Sequence, residues 1–389
     1  MLKRPIYMDN NATTRVDPRV LGAMLPYFSE QYGNAASNSH TFGWTAGEAV
    51  DKARIQVAAL IGADPSEIIF TSGATEADNL ALKGVAEAYA EKGDHIITTA
   101  IEHKAVLDTA KHLEKLGKSV TYLPVDEYGM IDIEQLKASI TERTILVSIM
   151  YGNNEIGTLD AIDEIAEICH ERGVIFHTDA TQAIGKVPID VKKQKIDLMS
   201  LTAHKMYGPK GIGALYVRRK EPRVRLALQM DGGGHERGMR SGTLNVPGIV
   251  GFGEACQVCS QEMERDRSHT QGLRDYLWEQ IQATVPDVKL NGHPTRRLSN
   301  NLSIAIRGVD ADALLASLSG VALSTGSACT SASVAPSHVL LALPDAAQII
   351  GASIRLGVSR FTTKSEVDQV LSLIGPVVAR LRGVTAVAP

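Results

Sequence analysis

The stretch that decides the fold is EIIFTSGATEADNLALKGVAEAYAEKGDHIITTA, residues 67–100. EIIF is rich in β-branched and aromatic residues and reads as a strand. The Gly in TSG interrupts it, and ATEADNLALKGVAEAYAEKG then spaces its apolar residues at helical intervals, with Gly93 as the stop. HIITTA is the next strand. At the turn between strand and helix, Gly73, Ala74 and Thr75 leave room for a phosphate against the helix's first N–H groups. A plain glycine turn with a threonine cap reads equally well from these residues, and the GxxxxGK[ST] pattern of a P-loop is absent.

Outward from this unit the same alternation continues. HIITTA leads to HKAVLDTAKHLEKLG, a helix ending at Gly117. SVTYLPV is followed by DIEQLKASI, and TILVSIMY by IDEIAEICHERG. VIFHTDA, DLMSLT and GALYVRR are further strands, which gives seven in all. Strands alternating with glycine-stopped helices predict an α/β fold with a mostly parallel sheet covered on both faces. Ligands of such sheets sit at the strands' carboxyl ends. Around residues 254–285 the pattern turns long and helical. NNLSIAI, a small-residue stretch STGSACTSAS and a closing helix, SEVDQVLSLIGPVVARLRG, follow, with Thr363 and Glu366 as its capping box. We read residues 15–260 as a large domain, and residues 1–14 and 261–389 as a smaller α+β domain.

With 389 residues, 44% apolar and 22% charged, the chain has the composition of an ordinary globular protein of two domains. A net charge of −4 gives no sign of bulk binding to nucleic acid. No apolar run is long enough for a membrane span, and the N-terminus lacks the apolar core of a signal peptide. Four cysteines, Cys169, Cys256, Cys259 and Cys329, are too few for a disulfide framework and suggest reduced thiols in the cytoplasm.

Polar residues collect where the strands end. FHTDATQ puts Asp179 and Gln182 beyond one strand; Asp179 suits a buried cation or a helix cap. SLTAHKMYGPKGIG offers Lys205 and Lys210, each a surface charge or a desolvated amine able to form a Schiff base. An anion-binding helix start, a carboxylate and a lysine together are what pyridoxal 5'-phosphate (PLP) requires.

At this point the chain resembles the NifS/IscS-type cysteine desulfurases, class V, fold-type I PLP enzymes. The resemblance runs from YMDNNATTRVDPRV to RFTTKSEVDQV and rests on FTSGATEADN, EHKAV, NNEIGT, HTDATQAIGK, HKMYGPKGIGALY, GGGHERGMRSGT, STGSACTSAS and IRLGVSRFTT. It implies Lys205 as the Schiff-base lysine and Asp179 as partner of the pyridine nitrogen. It implies His103 stacked on the ring, and Asn154 and Gln182 near the ring's 3-oxygen. Ala74, Thr75, Thr202 and His204 would surround the phosphate, with Thr243 reaching it from the other subunit of a homodimer. Asn34 and Arg355 would hold the substrate carboxylate, for which an arginine fork is well shaped. Cys329 would be the nucleophile that takes sulfur from L-cysteine as a persulfide, leaving L-alanine, with His103 helping to form its thiolate. The same thiol could hold a transient iron–sulfur cluster. Sulfur would pass to an iron–sulfur scaffold protein or another acceptor protein, for cluster assembly or tRNA thiolation, without direct contact with nucleic acid or membrane.

Other readings stand beside this one. An aminotransferase or a selenocysteine lyase of the same class is the nearest. A non-catalytic sulfur-relay subunit would not need Lys205 and Asp179. The CxxC at Cys256 and Cys259 lacks a second pair for zinc and reads as core. VRRKEPRVR, with five basic residues between 218 and 225, reads as a solvated loop or as a dock for an acidic acceptor. Ala35 stands where many relatives have proline. IscS relatives also carry a longer C-terminal tail for the scaffold protein, which leaves the acceptor open.

Overall fold

The computed structural model describes residues 5–325 and 336–385. Cys329 lies outside the described residues. The strands in chain order are β1 (Ile6–Tyr7), β2 (Ile68–Thr71), β3 (His95–Thr99), β4 (Ser119–Leu123), β5 (Thr144–Ser148), β6 (Ile175–Asp179), β7 (Leu198–Thr202) and β8 (Gly213–Val217), then β9 (Val288–Leu290), β10 (Asn301–Ile306), β11 (Val321–Ala322) and β12 (Ser353–Gly357). The seven expected strands form one sheet in the order β2-β8-β7-β6-β5-β3-β4. Every pairing is parallel except those of β8, which runs against both β2 and β7. All residues of β2, β3 and β5 to β8 are buried, as in a sheet with both faces covered. The carboxyl ends of β2, β3, β5, β6 and β7 therefore share one edge. The start of β8 lies at that edge as well, because Gly213 is paired with both Thr71 and Thr202.

The helix after β2 is shorter than expected. It runs Ala74–Ala88 and does not reach Gly93. A side chain at Gly93 would meet the Arg143 carbonyl at 2.1 Å, so the chain must turn early to enter β3 beside that residue. The long helix starts earlier than its pattern suggested, at Val246, where Asn245 caps it through Gly248 N. It is continuous to Thr284. Its first half packs Ile249, Phe252 and Cys256 into the core around the large sheet. Its second half packs Leu273, Leu277 and Ile281 into another core, against β10 and β12. That second core holds the sheet β12-β10-β9, the β1–β11 pair and the closing helix Lys364–Thr385, which carries the expected Thr363–Glu366 capping box.

Residues 9–14 connect these two parts. Asn10 Nδ2 donates to Gly357 O at 2.8 Å, while Thr14 Oγ1 donates to His204 O at 2.9 Å.

Candidate active site

At the shared edge of the sheet lies a cleft of about 390 Å³, a size suited to a small cofactor. Ala74, Thr75, His103, Asn154, Asp179, Gln182, Thr202, His204 and Lys205 all line it. Residues far apart in the sequence meet there because each follows, or ends, a strand of one sheet.

Lys205 is buried, and its Nζ donates to Asn11 O at 2.6 Å and Ala12 O at 2.7 Å. These two short bonds fix the position of the amine at the floor of the cleft. Lys210 also lines the cleft but is exposed. Asp179 is buried at the end of β6, and its Oδ1 accepts from Thr181 N at 2.9 Å. It thus caps the next turn and also lines the cleft. Gln182 Nε2 donates to Asn11 O at 2.9 Å, the acceptor Lys205 also uses.

His103 is the N-cap of the helix Lys104–Lys115; its Nδ1 accepts from Ala105 N at 3.1 Å. That bond leaves the neutral ring's proton on Nε2. His204 Nδ1 lies 3.1 Å from Thr13 Oγ1, and burial, together with the nearby Lys205 charge, depresses its pKa to about 3. A neutral His204 therefore faces the cleft. The Ala74–Ala88 helix is capped by Gly73, which has no side chain to take up the first-turn N–H groups. An anion can take them instead.

These residues fit PLP. The donor-rich helix start suits its phosphate, the Asp179 carboxylate suits a protonated pyridine nitrogen, and Lys205 suits its aldehyde.

Three predicted residues among those described are not in the lining of the cleft. Arg355 stands behind its wall: Nη1 donates at 2.7 Å to the carbonyl of Asn154, a lining residue. Asn34 is exposed, and its Oδ1 accepts from Ala36 N at 2.9 Å in a local turn. Thr243 is exposed in the segment before the long helix. Cys329, as noted, is not among the described residues. Cys256 and Cys259 are buried core residues, and burial raises both thiols, Cys259 to about 11. Arg218, read as part of a solvated basic loop, is buried and pairs with Asp197 at 3.3 Å.

Sequence reasoning missed two features. One is the pair of carbonyls that hold Lys205. The signal for it was the polar run DNNATT directly after β1. The other is Asp78, buried under the cleft 3.7 Å from His177 Nε2. Burial and the nearby Asp179 hold its carboxyl well above the usual range. A lone Asp in a helix gives no hint of this.

Known proteins share this fold. The class-V aminotransferase family profile matches residues 6–370. The chain is 54% identical to cysteine desulfurase IscS of Neisseria meningitidis serogroup A over 381 residues, 98% of this chain and 94% of the other. It superposes on a solved NifS-like protein with a TM-score of 0.89 at 39% identity, covering 97% of this chain and 100% of that one. SspA in complex with cysteine gives a TM-score of 0.81 at 35% identity, covering 92% and 100%. The chain belongs to the class-V aminotransferase family of PLP enzymes and, within it, to the NifS/IscS-type cysteine desulfurases.

Proposed function

We propose that this enzyme removes sulfur from L-cysteine, leaving L-alanine and a persulfide on Cys329. The observation that carries the reading is the convergence of Lys205, Asp179 and the Ala74–Ala88 helix start on one cleft. A bound cysteine in the related SspA supports the substrate. PLP, when bound, supplies an electron sink for the substrate's Cα–H bond.

The protein's own residues then have distinct roles. Asp179 keeps a proton on the pyridine nitrogen. Lys205 would hold the cofactor through its amine and, once freed, serve as the base for the substrate's Cα proton. Asn11 and Ala12 offer its ammonium two acceptors. His103 walls the ring. Asn154 and Gln182 would hold the ring's 3-oxygen, and Ala74, Thr75, Thr202 and His204 would hold the phosphate. Arg355 and Asn34 hold the substrate carboxylate. The Cys329 thiolate attacks the substrate sulfur, His103 helping to form it. Thr243 completes the phosphate site of the other subunit in a homodimer. Support for a dimer comes from exposed Phe28, Tyr32, Phe42 and Trp44, of which Tyr32 and Phe42 meet at 5.3 Å.

Sulfur then goes to an acceptor protein such as an iron–sulfur scaffold, in the cytoplasm. Free thiols at Cys169, Cys256 and Cys259 support that compartment. Among the described residues no helix is long and apolar enough to cross a membrane.

Incubation with L-cysteine, followed by assay of alanine and protein-bound persulfide, tests the reading. Wild type yields both. Cys329→Ala keeps its bound PLP and yields no persulfide. Absence of both products from wild type would end the proposal.

A further inference from the structure

Arg355 is among the largest fully buried side chains of the protein, at 1% exposure. One arm of its guanidinium is committed to the chain: Nη1 donates to Asn154 O at 2.7 Å. The other arm meets a carboxylate, with Nη2 donating to Asp9 Oδ1 at 2.9 Å. Asp9 itself reaches solvent, at 18% side-chain exposure. Asp9 follows β1 and forms a bridge to Gly357 at the end of β12, two residues beyond Arg355.

We propose that Asp9 occupies, in the unliganded enzyme, the arm of Arg355 that the substrate carboxylate takes, so that substrate binding exchanges one carboxylate for another. Asp9 is thus a positioning and specificity-determining residue. This rests on the reading that Arg355 receives the substrate carboxylate.

Three physical points carry the argument. An arginine this deeply buried needs a counter-charge when no substrate is present, and Asp9 supplies it. A carboxylate binds a guanidinium best through two parallel N–H groups, so a second carboxylate competes directly for Nη2. Two carboxylates on one arm repel each other, and the partly exposed one can move toward water. Asp9 also begins the segment whose carbonyls at Asn11 and Ala12 hold Lys205.

Exchange makes a prediction that a purely structural role does not. Removing the charge of Asp9 should tighten carboxylate binding. The probe is propionate, which has the carboxylate of alanine without its amine, titrated calorimetrically into the holoenzyme and tested as a competitor of cysteine. Asp9→Asn is expected to bind propionate about fivefold or more tightly than wild type. Asp9→Ser, smaller and also neutral, should shift it in the same direction if the asparagine variant folds poorly. Unchanged or weaker binding in the neutral variants overturns the proposal. Arg355→Lys separates the two ideas. If it weakens propionate while Asp9→Asn fails to tighten it, only the exchange falls. If it binds propionate as wild type does, the carboxylate site itself is misplaced, and the exchange falls with it.

Discussion

Gly213 and Gly73 meet backbone against backbone at the cleft: a Cβ on Gly213 would stand 2.7 Å from Gly73 Cα and 2.4 Å from Leu201 O. Neither contact can yield without moving β8 or the turn that opens the Ala74–Ala88 helix. Gly213→Ala is therefore expected to cost about 1–3 kcal/mol of stability through overpacking. It should also weaken PLP binding, because the displaced atoms border the anion-binding helix start. Urea unfolding and a PLP titration of the variant check both. Unaltered PLP affinity would show that the contact does not shape the cleft.

Two lysines line that cleft, and their surroundings separate them. Lys205 is buried on two carbonyls, whereas Lys210 is exposed. Borohydride reduction of the yellow holoenzyme should fix the pyridoxyl group on the peptide containing Lys205. Lys205→Ala should abolish that label and Lys210→Ala should leave it. Mass spectrometry finding the label on Lys210 would reverse the assignment.

Asp179→Asn keeps the shape of the side chain and its acceptor for Thr181 N, but loses the charge. The variant should retain PLP and lose most turnover, because an uncharged partner no longer holds the pyridine proton. Alanine release at the wild-type rate would reduce Asp179 to its turn-capping bond.

The large sheet was legible because each of its strands is a short β-branched run closed by a turn, and period and punctuation are local signals. Lys205, Asp179 and the helix start were legible for a related reason: each directly follows or ends a strand. Arg218 was misread because a basic run looks the same whether its first member faces water or reaches back to Asp197. Asp9, Asn11 and Asp78 were not legible in role. Their meaning depends on partners at Arg355, Lys205 and His177, between 99 and 346 residues away, and no local pattern encodes such pairings.

Asp160 predicts a pH dependence. It is buried, and burial raises its carboxyl to about 8, Asp126 adding to the rise and Arg296 opposing it. In the unfolded chain an aspartate titrates near pH 4. Between those values the folded chain binds more protons than the unfolded one, so the contribution of Asp160 to stability falls as pH rises through the window and is level outside it. Asp160→Asn removes the titration. Its urea midpoint should drop less than that of wild type between about pH 5 and about pH 8. Parallel profiles for the two proteins would show that Asp160 ionises normally.

Arg360 tests what holds the long helix to the N-terminal helix Pro18–Met24 and to the turn after Lys205. Its guanidinium is 3% exposed, lies 3.1 Å from Asp17 and 2.5 Å from Asp266, and sits 4.1 Å over the Tyr207 ring. Asp17 is the N-cap of Pro18–Met24, and Asp266 lies in the long helix. Arg360→Met fills similar space but strands buried carboxylates. Asp17 keeps Arg19 as a partner at 2.7 Å, whereas Asp266 keeps the longer contact with the exposed Arg265 at 3.4 Å, so Asp266 carries most of the loss. Breaking such a pair from one side costs about 3–5 kcal/mol. If the cost is an uncompensated charge, adding Asp266→Asn should restore part of it, since the neutral amide has less to lose by burial. Urea midpoints of the single and double variants read this out. A double variant no more stable than Arg360→Met would mean that packing over Tyr207, not charge, is what Arg360 contributes.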